Sequence, residues 1–304
     1  MPFPRWVPTV LFFCLGLFFS FSAVFAADYA LKDVSRTPEG VIIDAKGAPV
    51  TGMLRVFYDN GQEKEVTPLV EGKAEGLEKR YYPGGKLEWD APFAKGLLHG
   101  TVTHYYENGQ QESVFTYVNG EEAGPVRTYA DTGILTSEGI KKNGQWDGEY
   151  KEFTATGELT QVVVFKDGKK EGLTRLYSVD TGKLLQESPY TNDELNGLER
   201  RWFPEGNIES KIPYVNGKRH GVMTRYYITG KTRSTAPFAD DKLNGTVKSY
   251  YPGGRLQGEI DFVEGTPQTA IMYDERGKVI EKKVFKSGEW HKEMKARGYS
   301  PANR

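Results

Sequence analysis

The side chains that could carry chemistry in this 304-residue chain are few and scattered. There are four histidines, His99, His104, His220 and His291, and one cysteine, Cys14. No His-x-x-x-His pair and no His/Asp cluster occurs, so the ligand spacing of a zinc site is missing. A lone cysteine excludes a disulfide framework and a thiolate-rich metal centre. There is also no Gly-x-Ser-x-Gly elbow and no phosphate loop. The expected cofactor and metal complement is none. Carboxylates are plentiful, among them Glu63, Glu65, Glu88, Glu112, Glu138 and Glu209. A glycosidase needs two of them across one cleft, whereas acids that return at a regular interval mark the wet side of a sheet. A basic file, Arg55, Lys79, Arg127, Lys151, Arg175, Arg200 and Lys248, could meet anionic lipid headgroups or an anionic glycan. With 40 Lys+Arg against 41 Asp+Glu, cross-strand pairing explains that file better, and nucleic acid is not an expected partner.

Aromatic doublets are the more specific signal. Counting from a recurring glycine, the sixth position is aromatic ten times: Phe57, Tyr81, Tyr105, Tyr129, Phe153, Tyr177, Trp202, Tyr226, Tyr250 and Tyr273. The seventh is aromatic only at Tyr58, Tyr82, Tyr106, Phe203, Tyr227 and Tyr251, and lapses at Ala130, Thr154, Ser178 and Asp274. Neighbouring strand residues point to opposite faces. The sixth file is therefore expected in the core, and the seventh is expected to form two aromatic patches around a bare middle. A contact surface explains those patches, because Tyr and Trp dominate binding hot spots. Packing against a curled sheet explains them too, and large exposed apolar patches are uncommon. These six residues are the candidate binding site; no catalytic residue is assigned.

A repeat must position them. Gly52, Gly76, Gly100, Gly124, Gly148 and Gly172 lie 24 residues apart, and after one insertion the series resumes at Gly197, Gly221 and Gly245. A tenth, degenerate unit begins near Gln268. Large side chains return near position eighteen, at Leu69, Phe93, Tyr117, Phe165, Tyr190, Tyr214, Phe238, Phe262 and Phe285, with Lys141 breaking the file. Dipeptides such as Asn60-Gly61, Asn108-Gly109, Asn119-Gly120, Asn143-Gly144, Asp167-Gly168 and Asn216-Gly217 suit type I′ turns. The runs between them, rich in Tyr, Phe, Val and Thr, favour strands. Each unit reads as strand, turn, strand, turn, so ten units predict about twenty strands in one antiparallel meander. Pro68, Pro92, Pro189, Pro213 and Pro237 are expected to end or bulge the second strand, since proline cannot donate to a ladder. A single hairpin is marginal in water, so the units must stack. Residues 27–51 and 290–304 are expected to cap the 52–289 array, the latter as a charged, helical tail.

The pattern Gly-x-x-x-x-Tyr-Tyr-x-x-Gly, closing with a turn such as Val118-Asn119-Gly120, resembles MORN-type repeats. It is most similar to the variant found in bacterial proteins labelled YwqK-family antitoxins, and the resemblance covers roughly residues 47–290. It implies an elongated, all-β array of about ten stacked hairpins serving as a scaffold for protein contacts. The antitoxin label would imply neutralising a toxin by direct binding, and lipid-headgroup binding is also proposed for such arrays.

The first 26 residues differ from the rest. Arg5, an apolar run from Val10 to Phe19 and the small residues Ala23, Ala26 and Ala27 have the layout of a secretory signal peptide, with cleavage expected after Ala26. An uncleaved membrane anchor over Val7–Ala27 is the competing reading. The expected protein is thus a non-catalytic, extracytoplasmic repeat scaffold that binds an unidentified protein. An antitoxin or immunity protein is the alternative, and a glycan- or lipid-headgroup-binding protein is a lesser one.

Overall fold

The computed structural model describes residues 27–292. They form one 30-stranded sheet and a separate two-stranded hairpin. The unit beginning at Gly76 shows how the sequence builds it. Gly76–Tyr81 is the first strand, and Leu87–Ala94 is the second. A turn at Lys95 and Gly96, both at positive φ, then leads to a two-residue strand, Leu97–Leu98, before Gly100 opens the next unit. From Gly76 on, each six-residue strand pairs with the eight-residue strands on both sides of it, and each two-residue strand folds back on the eight-residue strand before it, so the chain runs as a continuous meander of antiparallel hairpins.

Two kinds of turn alternate. Asn119-Gly120, Asn143-Gly144, Asp167-Gly168 and Asn216-Gly217 have positive φ at both residues, as type I′ requires. At Asn60-Gly61 and Asn108-Gly109 only the glycine does. There Gly61 N–H donates to Tyr58 O and Tyr58 N–H donates to Gln62 O, which is a type I turn closed by a glycine bulge. The register slips at this end of every first strand, for example between His104 and Tyr105.

The prolines do not end the second strand as expected. Pro92 lies inside Leu87–Ala94 and pairs with Leu77. Its carbonyl accepts from His99 N–H, so its missing N–H would have pointed to the same side, where the next unit has turned away at Gly100. Gly100 has φ +120°, and a Cβ there would lie 2.8 Å from Pro92 Cγ. The glycine splits what would be one long strand into two plus six residues. Where position one is Gln268 instead, the strand runs unbroken from Thr266 to Tyr273. This two-residue strand in most units is why the sheet has far more than twenty strands.

The core differs from the expected one. Buried apolar residues sit at position three (Leu54, Val102, Val126) and opposite it on the second strand (Ala91, Val163, Ile212, Ala236). The sixth position falls on the other face with positions two and four, at the last rung before the turn. Tyr105 there is half-buried, and Phe57 is 49% exposed. Alternation from position three puts the sixth side chain on the wrong side of the sheet to be core.

The break at Lys141 is repaired locally. Gly139 leaves room that Trp146 and Tyr150 fill, since a Cβ at Gly139 would come within 2.8 Å of Trp146 and 3.0 Å of Tyr150. Lys141 Nζ lies 5.0 Å over the Trp146 ring and pairs with Glu122. At the start of the array, Asp28–Ala30 pairs in parallel with Gly52–Phe57. The hairpin of Val34–Arg36 and Ile42–Asp44 follows, and Ile42 and Val50 pack on Leu54 and Leu69. At the far end Glu289–Lys292 is a strand, not a helix, with Trp290 against Phe285 at 5.3 Å. The signal-peptide segment and residues 293–304 lie outside the described residues.

Candidate functional site

The six candidate aromatics sit just past their first strands, in the turn, all half-buried. Five carry a hydroxyl, and each of those donates to the backbone of the following unit. Tyr58 Oη meets Tyr81 O at 2.8 Å, Tyr82 meets Tyr105 O at 2.6 Å, and Tyr106 meets Tyr129 O at 2.8 Å. Tyr227 meets Tyr250 O at 2.7 Å, and Tyr251 meets Tyr273 O at 2.9 Å. Burial, followed by nearby glutamates, holds the Tyr82 and Tyr106 hydroxyls above the ordinary tyrosine range, so they stay protonated and able to donate. The seventh file is therefore a row of clamps from unit to unit. Phe203 has no hydroxyl to contribute, and Ala130, Thr154 and Ser178 leave the middle units without the clamp.

A second site was not singled out in the sequence. Position three is a buried glutamate in two units, Glu78 and Glu199, where most others carry an apolar residue. Their units share a set of residues: Leu77, Glu78, Arg80, Pro83, Glu88, Pro92 and His99 match Leu198, Glu199, Arg201, Pro204, Glu209, Pro213 and His220. A charged residue breaking an apolar file at two matched places was the signal available.

Cross-strand register places Glu65 opposite Arg80, and Thr67 beside Glu78. Thr67 Oγ1 is 3.1 Å from Glu78 Oε2 and 3.2 Å from Glu65 Oε1. Arg80 reaches both acids, with Nε 2.9 Å from Glu65 Oε2 and Nη2 3.2 Å from Glu78 Oε1. Neither contact is aligned as a hydrogen bond, and Glu78 Oε1 and Arg80 Nε are left as buried polar atoms without one. Arg80 also stacks on Trp89 at 4.4 Å. Burial, then the charge of Glu65, pushes the Glu78 carboxyl above the usual carboxylate range, against weaker opposing pulls from Arg80 and Thr67.

That shift has a sign. A carboxyl whose pKa is raised on folding stabilises the fold below its unfolded value, and the stabilisation is lost as pH rises through the folded value. Glu78→Gln should match the parent near pH 4 and exceed it in unfolding free energy near pH 7. Urea titrations at both pH values check this; a difference that does not change with pH would contradict the assignment.

The cluster opens into a groove of about 570 Å³ between the N-terminal hairpin and the first units. Leu54, Leu69, Phe93 and Leu97 form its apolar wall, Glu65, Thr67, Glu78 and Arg80 its polar floor, and Arg36, Glu39, Lys73 and Lys95 lie around them. Among the described residues no group of three or more His, Cys, Asp or Glu could hold a metal ion.

With this geometry in place, the repeats can be compared with known families. The MORN repeat variant matches at residues 74–91, 98–119, 195–216 and 243–264. The chain thus carries MORN repeats of this variant kind, and the all-β meander of hairpins is consistent with them. No curated protein matches the chain. Among solved structures, TcdB2-TccC3 is 12% identical, with 83% of this chain and 18% of that chain covered and a TM-score of 0.20. A Tc holotoxin pore of Photorhabdus luminescens (TccC3-D651A) is 12% identical, covering 83% and 17%, at a TM-score of 0.18. A porin-like protein from Bacteroides uniformis is 13% identical, covering 64% and 92%, at 0.17. The chain spans under a fifth of the first of these.

Proposed function

We propose that this is an exported, non-catalytic repeat scaffold whose sheet binds another protein. The observation that supports it best is a repeated open face, the one bearing positions two, four and six. Position two and its cross-strand partner place Met53 beside Pro68, Leu77 beside Pro92, Leu173 beside Pro189, Leu198 beside Pro213 and Val222 beside Pro237. Leu77 is 44% and Val222 54% exposed, and Ile140, opposite Pro125, is 52% exposed. Apolar side chains held out on rigid strands suit a contact surface, because little conformational freedom is lost on binding. The six aromatics belong to the same reading as contacts made through their rings, since five hydroxyls are already engaged by the next unit.

Two measurements test it. Intact mass of protein recovered from the envelope fraction should give Ala27 as the first residue; full-length chain held in the cytoplasm would contradict export. Leu77→Lys with Val222→Lys should reduce capture of an envelope partner at least tenfold while leaving the melting curve unchanged. Undiminished capture would remove this face from the interface, and a single dominant toxic partner would favour the antitoxin reading.

A further inference from the structure

The sites built on Glu78 and Glu199 differ in the residue that faces the arginine from the preceding unit. At the second copy, Gln186 stands opposite Arg201 where Glu65 stands opposite Arg80. Gln186 Nε2 donates to Ser188 Oγ at 2.8 Å and to Glu199 Oε2 at 3.3 Å. Ser188 Oγ donates to Glu199 at 3.1 Å, and Arg201 Nε donates to Glu199 Oε1 at 2.8 Å. Donors and acceptors balance there. At the first copy a second carboxylate replaces the amide, so the donors of Gln186 are lost and acceptors are gained. One Thr67 hydroxyl proton and one guanidinium must then serve both Glu65 and Glu78. Buried polar groups left without partners are costly.

The copy with the second carboxylate is the one beneath the groove. Two carboxylates and one guanidinium leave its floor one positive charge short. Glu65 is 24% exposed at its side chain, so a ligand can reach it, with Glu78 behind. The apolar wall of Leu54, Leu69, Phe93 and Leu97 suits the stem of a long side chain. Around the floor Arg36, Lys73 and Lys95 outnumber Glu39, so they would repel a polycation but favour acidic neighbours around a single basic group.

We propose that this groove binds one basic side chain, lysine or arginine, of a partner polypeptide, its cation on Glu65 and Glu78 and its flanking acids at Lys73 and Lys95. The proposal rests on the reading of the chain as a protein-binding scaffold and places one contact of that partner.

The test uses the full mature chain and a fluorescein-labelled peptide, acetyl-Glu-Leu-Lys-Leu-Glu-amide, read by anisotropy. The peptide should bind, and its acetyl-lysine version should bind at least tenfold more weakly. Glu65→Gln copies the balanced second site, so it should cut binding at least tenfold while the melting temperature holds or rises, which separates lost recognition from lost folding. Gln186→Glu, far along the array, should leave peptide binding unchanged. Equal binding of lysine and acetyl-lysine peptides, full binding by Glu65→Gln, or no binding at millimolar peptide would each overturn the proposal. If the peptide fails while Leu77→Lys with Val222→Lys still abolishes partner capture, the groove is wrong and the scaffold reading stands.

Discussion

Replacing Tyr82 and Tyr106 together with serine should lower the unfolding free energy by roughly 3–5 kcal/mol. Each change removes a half-buried ring, at about 1 kcal/mol or more, and a hydrogen bond worth about 1 kcal/mol. It also leaves a carbonyl of the next unit without its partner, at Tyr105 and Tyr129. Tyrosine-to-phenylalanine at the same two places should cost about 1 kcal/mol each, which separates hydroxyl from ring. Loss should begin in the first units and spread, since stacked repeats interact mainly with their neighbours. Urea unfolding of the three proteins checks the order. A serine double variant that melts like the parent would mean the clamps contribute nothing, and would return the seventh file to a purely exposed surface.

Gly72→Ala should be strongly damaging, at about 3 kcal/mol or more, in the range of backbone-incompatible substitutions. Gly72 has φ +72°, its N–H donates to Val50 O, and its carbonyl accepts from Ile42 N–H. A Cβ there would fall 2.4 Å from Ile42 O and 2.5 Å from Val41 Cγ1. The hairpin that carries Ile42 would have to lift, exposing the cluster of Ile42, Val50, Leu54 and Leu69. Gly144→Ala is the matched control, with φ +73° but nothing within 4 Å of the new carbon. It should cost only the left-handed backbone strain, about 1 kcal/mol. Equal losses in the two variants would show that the cap does not press on Gly72. A larger loss at Gly72 should also disturb the groove, because Ile42, Leu54 and Leu69 line it.

The sequence by itself determined the repeat, its period, its strands and most of its tight turns. These are local properties: glycine, asparagine and aspartate tolerate positive φ, and β-branched and aromatic residues favour strands. It also determined that residue types at fixed positions form files along the array. Only the tertiary structure decided which file is buried. The aromatic regularity of position six suggested a core, yet Val102 and Val126 at position three are buried, and Tyr105 lies across the sheet at its last rung. Aromatic identity is equally compatible with either side, and the alternation counted from the buried third position decides between them. The seventh-position tyrosines were legible as a set, but their bonds to Tyr81, Tyr105, Tyr129, Tyr250 and Tyr273 join units 22 or 23 residues apart. Likewise Glu65 and Glu78 belong to different units in the chain and become a pair only through strand register. That register also leaves them with one guanidinium between two acids, whereas at Gln186 and Glu199 the same fold, with one amide for one acid, closes the network.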